Sequence, residues 1–134
     1  MSKRRSFEVP GIEHENPIPA VTRIGSLVMS SGIFPRDPAT GKAPDGLEEQ
    51  CAVLFANIRR VIECAGGTTE DIIKITVWAK DQKTKAFVNK EWLAMFPDPL
   101  SRPARHTLMY NEHPGNMLVQ CDLTAVVGGQ GTGI

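Results

Sequence analysis

Between residues 101 and 127 the chain gathers side chains suited to handling a small acid. Arg105 stands two residues before the hydroxyl of Thr107 in a run from Ser101 to Tyr110. A polar link from Asn111 to Asn116, containing Pro114 and Gly115, leads to a second run, Met117 to Val127, that carries Gln120 and Asp122. Both runs read as strands, and the turn residues between them predict an antiparallel pair. Side chains alternate along a strand, so Arg105, Thr107 and Met109 share one face, and Ala104, His106 and Leu108 the other. On the partner run Leu118, Gln120 and Asp122 share a face. That arrangement sets a guanidinium near a hydroxyl, an amide and a carboxylate. A guanidinium on a rigid strand is a fixed two-pronged donor, able to grip a carboxylate as a flexible lysine is not. The chemistry expected is an anion clamp centred on Arg105. The competing reading is an ion pair between Arg105 and the chain's own Asp122 or Glu112.

The rest of the chain must supply a frame for this region. A short edge strand is predicted near Ser6 to Val9, and strands at Ala20 to Ile24 and Leu27 to Ser31 joined by a tight Gly25-Ser26 turn. Gly32 closes that hairpin; it serves either a turn or the close approach of a ligand to the main chain, and the residues alone weigh these equally. Phe34 to Pro44 is proline-rich and reads as a surface loop. Asp45 and Glu48 have capping-box spacing ahead of a helix with an apolar stripe through Leu47, Cys51, Leu54, Ile58 and Ala65, ended by Gly66-Gly67. Ile72 to Lys80 reads as a central strand, with Ile73, Ile75, Val77 and Ala79 on one face and Ile72, Lys74, Thr76 and Trp78 on the other. A second helix, about Thr84 to Phe96, puts Val88, Trp92 and Met95 on one stripe. Trp92 reads as a core or interface anchor. This order of elements predicts an α+β fold, a mixed sheet with both helices on one face. The opposite face is apolar enough that self-association should cover it.

Composition narrows the function classes. The 134 residues fit one domain over 1–127, followed by a flexible glycine-rich tail at 128–134. Fifteen basic residues balance fifteen acidic ones, so there is no electrostatic footprint for nucleic acid or an anionic membrane. The sequence has no apolar run of membrane-spanning length and no apolar segment after its basic start, so a cytoplasmic location is expected. Cys51, Cys64 and Cys121 form no CxxC pair and read as reduced core thiols. His14, His106 and His113 lack a metal-ligand spacing, and neither a metal nor a cofactor is expected.

Arg102-Pro103-Ala104-Arg105 entering a strand, with a later strand ending in Thr124-Ala125-Val126-Val127, resembles the signature of the Rid family, also called YjgF or reactive intermediate deaminases and formerly endoribonuclease L-PSP. Asn16-Pro17-Ile18-Pro19, Arg23-Ile24-Gly25, Ser30-Ser31-Gly32, Thr40-Gly41, Ala65-Gly66, Asp71-Ile72-Ile73-Lys74 and Val88-Asn89 follow the family's order and approximate spacing. The likeness covers nearly the whole chain. It implies a chorismate-mutase-like fold and a homotrimer with three sites in the clefts between neighbours. It also implies that a small imine or enamine carboxylic acid is hydrolysed to a keto acid and ammonia without a cofactor. Arg105 would then hold the carboxylate, Gln120 and Asn89 would occupy catalytic positions, and Gly32, Ile33, Thr107 and Asp122 would line the substrate. For Asn89 a local backbone hydrogen bond is the alternative.

The chain departs from the family's enamine hydrolases, which often carry a cysteine at Thr107, a glutamate at Gln120 and a tyrosine near Pro17 and Ile18. Gln120 can orient a water but cannot act as a carboxylate base, and Asp122 is the candidate to replace it. Asp45 to Gln50, Phe96 to Pro99 and Arg102 to Thr107 look closer to the 2-aminomuconate deaminase branch. Its substrate has two carboxylates, and His106, Arg102 and Arg23 are candidates for a second cation. A non-catalytic trimer that binds a carboxylated metabolite is the competing function. The older ribonuclease or translation-inhibitor label is disfavoured by the neutral charge.

Overall fold

Six strands and two helices make up residues 3–128, which the computed structural model describes. In chain order they are β1 (Arg4–Phe7), β2 (Val21–Ile24), β3 (Leu27–Ser30), α1 (Leu47–Cys64), β4 (Ile72–Ala79), α2 (Thr84–Met95), β5 (Ala104–Met109) and β6 (Val119–Val126), with a 3-10 turn at Thr69–Asp71 before β4. The sheet order is β1-β2-β3-β6-β4-β5. Only β4 and β5 pair in parallel; the other neighbours are antiparallel.

This topology corrects the expected hairpin between the two C-terminal runs. β5 and β6 do not pair with each other but flank β4 on opposite sides. The burial patterns explain the choice. Val119, Cys121, Leu123 and Ala125 of β6 alternate into the core, as suits an interior strand, whereas β5 is half-buried at most and takes the edge. β3 and β4 therefore run parallel with β6 between them, and α1 makes their crossover as α2 makes that of β4 and β5. Both crossovers step the same way across the sheet, so the right-handed rule puts both helices on one face. There α1 and α2 pack together over a single core.

Local detail departs from expectation in three places. A register shift between Ile72 and Lys74 reverses the start of β4, burying Ile72 and turning Ile73 outward. Second, α1 starts at Leu47 with Gly46 as its cap and no side-chain cap bond; Asp45 instead accepts a hydrogen bond from Asn116. The capping box lies at Thr68 and Asp71, ahead of the 3-10 turn. Third, Gln50 and Asn57 of α1 are fully buried polar side chains. Gln50 donates to the carbonyls of Pro44 and Asn116 and accepts from the Leu118 N–H at 2.8 Å. Asn57 donates to the Phe34 and Arg36 carbonyls. One amide thus fixes the approach to β6 and the other the 34–44 loop, because buried loop carbonyls and N–H groups need partners.

The hairpin turn has Gly25 at φ +57, as a tight two-residue connection requires. The sheet face away from the helices exposes Ile24, Leu27, Met29 and Leu108, each at least 41% accessible. Among the described residues no helix is long and apolar enough to cross a membrane. Of the expected tail, residues 129–134 lie outside the described residues.

Removing the Gln50 amide should strand one N–H and two carbonyls. Gln50→Ala is expected to lose about 1–3 kcal/mol of unfolding free energy by urea titration. A change within a few tenths of a kcal/mol would contradict that role.

Candidate functional site

Arg105 sits on the helix side of edge strand β5. Paired strand residues share a face, and Arg105 pairs with buried Ile75, as Thr107 does with buried Val77. Its guanidinium therefore meets α2. The carbon at its centre lies 4.9 Å from the centroid of the Trp92 ring, and an Nη2 proton goes to Asn89 Oδ1 at 2.7 Å. Asn89 and Trp92 stand three residues apart, one turn of α2, so a single helix face presents both. Trp92 is packed edge-on against Phe96, at 4.9 Å, and is only 9% accessible. The ring under the cation is therefore held in place from behind.

No carboxylate answers this charge. Among the described residues the ion pair found is Lys90 with Glu48, and Arg105 hydrogen-bonds to Asn89 alone. Neither Asp122 nor Glu112 pairs with it. Burial lowers the pKa of the guanidinium from its ordinary value, with no opposing acid. Asn89 likewise uses its side chain on Arg105 rather than in a local backbone bond. What results is a half-buried cation, fixed in plane by an aromatic face and one amide, with further donors free for an anion.

Gln120 and Asp122 lie elsewhere. They pair with Trp78 and Thr76 of β4, which alternate with Val77 and Ile75, and so point to the face opposite Arg105. Within one protomer the expected constellation is split in two. Thr107 shares the Arg105 face, and its hydroxyl has no hydrogen bond to another described residue.

The second group forms around Gly32. Gln120 Oε1 and the Phe34 ring each lie 3.6 Å from where a Gly32 Cβ would project, which is ordinary contact. Gly32 has no positive φ. Neither turn strain nor internal crowding requires glycine here. Ile33, expected to touch substrate, has a buried side chain, and its N–H and C=O both bond to Cys121. It braces the group from behind and offers no free polar atom.

The proposed second cations have other duties. Arg23 donates to the Ala65 carbonyl at the end of α1, and Arg102 to the Phe96 and Pro97 carbonyls after α2. Each neutralises the negative end of a helix. His106 is exposed on the face away from Arg105. A cleft of about 620 Å³ between the 3-10 turn and residues 95–103 contains Glu70, Asp71 and Asp98, a lining that repels an acid. Among the described residues no three His, Cys, Asp or Glu side chains gather as a metal-ligand set. Burial pushes the Cys51 thiol up to about 12 and Cys121 well up, so both are inert core thiols, while Cys64 is only half-buried.

Asn89 was legible only through resemblance, and Trp92 was read as an anchor. Their three-residue spacing was the available signal, and the missing fact was which strand α2 covers.

Comparison with known proteins matches this geometry to a family. The family model Endoribonuclease L-PSP matches residues 12–127. A RutC family protein of Aquifex aeolicus is 31% identical over 110 residues, 82% of this chain and 88% of the relative. The 2-iminobutanoate/2-iminopropanoate deaminase of Salmonella typhimurium is 32% identical over 104 residues, 77% of this chain and 81% of the relative. Among solved structures, Escherichia coli TdcF with bound serine superposes with a TM-score of 0.84 at 25% identity, covering 92% of this chain and 99% of that one. The YjgF gene product of E. coli gives 0.82 at 26% identity, with the same coverage. With the matched region spanning β2 to β6 and both helices, the chain belongs to the endoribonuclease L-PSP family, known also as the YjgF or Rid family.

Proposed function

We propose that this chain is a hydrolytic deaminase of small imine or enamine carboxylic acids, acting at sites that neighbouring protomers of a homotrimer build jointly. The observation that carries the reading is Arg105, a half-buried cation without a carboxylate partner, held over the Trp92 ring. The deaminase names of relatives at 30–32% identity support the same chemistry.

The substrate carboxylate meets the guanidinium donors not used by Asn89, a two-pronged contact that fixes the adjacent C=N carbon in space. An imine carbon is already electrophilic, so water can add without a covalent nucleophile. The oxygen–carbon bond forms as the C=N π pair moves to nitrogen, which takes a proton. The resulting carbinolamine then collapses to a keto acid, expelling ammonia. Gln120 can hold the water by its amide, and the Gly32 main chain can be approached closely.

Joint construction follows from the split site. Arg105 with Thr107, and Gln120 with Gly32, lie on opposite faces of one sheet, so one substrate can meet both only if a second copy contributes one of them. The exposed Ile24, Leu27, Met29 and Leu108 give that copy an apolar surface to cover.

2-Aminomuconate is the narrower substrate within this reading. Its second carboxylate would need a further cation; Arg23 and Arg102 are committed to helix ends, which leaves the exposed His106 of either protomer as the candidate. Small monocarboxylic imines need no second cation and are the substrates expected to turn over fastest. The glutamine at position 120 favours one alternative, a trimer that binds such acids without turnover.

Kinetics, ligand binding and sedimentation each test part of this. Ammonia release from 2-iminobutanoate, 2-iminopropanoate and 2-aminomuconate generated in situ should exceed the buffer rate for at least one. Arg105→Ala should cost at least about 2 kcal/mol, some 30-fold in kcat/KM. Binding of keto acids without acceleration of any substrate would establish the non-catalytic alternative. Trp92→Phe, which keeps an aromatic face, should raise KM about two- to fivefold with kcat little changed; an unchanged KM would remove the ring from the clamp. Sedimentation equilibrium should give three times the chain mass, and a monomer at micromolar concentration would refute the shared site.

A further inference from the structure

The deaminase reading leaves one role vacant. Water adding to C=N must lose a proton, and Gln120 cannot take it. The group around Gly32 includes a side chain able to do so. His14 lies half-buried in the segment before β2, its ring edge-on to Phe34 with 5.6 Å between centroids and 65° between planes. The same Phe34 ring stands beside Gln120 Oε1 at Gly32, each 3.6 Å from the Cβ position. His14, Phe34, Gly32 and Gln120 thus form one continuous patch.

We propose that His14 is the general base of this site, taking the proton from a water held by Gln120 and returning it to the departing nitrogen. The proposal rests on the deaminase reading. Its geometric basis is the Phe34 wall that His14 shares with Gln120 and Gly32. A neutral imidazole carries one unprotonated nitrogen, an acceptor for a water proton. In the addition step a water O–H bond breaks as the O–C bond forms, and the proton passes to that nitrogen and on to the substrate nitrogen, which has received the C=N π pair. When the C–N bond breaks, the carbinolamine O–H proton follows the same route, so that ammonia leaves and the keto C=O forms. His14 ends as it began, and no oxidant or co-reactant is needed.

The surroundings keep the ring neutral near pH 7. Burial lowers its pKa below the ordinary 6.5 and the positive charge of Arg36 adds to this, while Glu8 and the Gly32 main chain oppose it. Arg36 is itself tied by Nη2 to the Glu13 carbonyl, at 2.8 Å. Asp122, on the same face of β6 as Gln120, is the rival base.

The pH profile of kcat/KM for 2-iminobutanoate generated in situ, taken with a variant of each rival, separates them. A base works when unprotonated, so the rate should fall as pH drops through the His14 pKa, an acid limb below 6.5. His14→Gln keeps a polar side chain of similar reach but cannot act as a base at neutral pH. It should lose about 100-fold or more in kcat, keep KM within about threefold, and lack that limb, with oligomeric mass and circular dichroism unchanged. Protonation of the substrate is common to both proteins and cancels in the comparison. A variant that keeps the wild-type kcat and limb would overturn the proposal. So would an acid limb that Asp122→Asn abolishes and His14→Gln retains. If the wild type turns over no imine, the deaminase reading fails and this inference with it. If the wild type is active and His14→Gln equally so, only the inference fails.

Discussion

The structure turns on one contact: a guanidinium over an indole, tied by a single amide and paired with no carboxylate. An arginine on a protein surface is ordinarily paired or fully solvated. Arg105 is neither, since α2 shields one side of it and Trp92 and Asn89 take its plane and one donor. An aromatic face attracts a cation without neutralising it. The charge is therefore oriented at little cost to its attraction for an incoming carboxylate, whereas a salt bridge would compete with the ligand for the same donors.

The fold supplies that arrangement through the way β4 is flanked. As the inner strand of the parallel pair it sends its helix, α2, over the edge strand β5, and the cation sits where helix and edge meet. On its other side β4 pairs with β6, whose alternation buries Val119, Cys121 and Leu123 and turns Gln120 and Asp122 to the helix-free face. The same pleat that makes β6 a good core strand therefore separates Gln120 from Arg105 within the chain. Stability and site construction are linked by it, and the apolar residues on the helix-free face lie on the side that a second copy would have to approach.

Much of this was legible in the residues. The 3.6-residue stripe of α1, the alternation of β6, the Gly25 turn and the two-helix, one-face layering all follow from local pattern, because each depends on neighbours in sequence. Pairing partners do not. The link from Asn111 to Asn116 looks like a hairpin turn, yet the strands it joins are kept apart by β4, whose nearly continuous apolar run demands neighbours on both edges. The bulge that reverses Ile72 and Ile73 and the burial of Gln50 and Asn57 were hidden for the same reason: long-range hydrogen bonding overrides local periodicity. At the site, Arg105 stood out by chemistry, while Ile33 was named by resemblance and turns out to be a brace. Arg23 and Arg102 had the right charge but are used at helix ends.

The most direct test of the central claim is a crystal structure with 2-oxobutanoate, the stable keto-acid counterpart of the small imines. The account predicts its carboxylate on the free donors of Arg105, over the edge of β5, with Gly32 and Gln120 of a neighbouring protomer closing the other side. A keto acid bound away from Arg105, or held by Arg105 with no second protomer beside it, would contradict it.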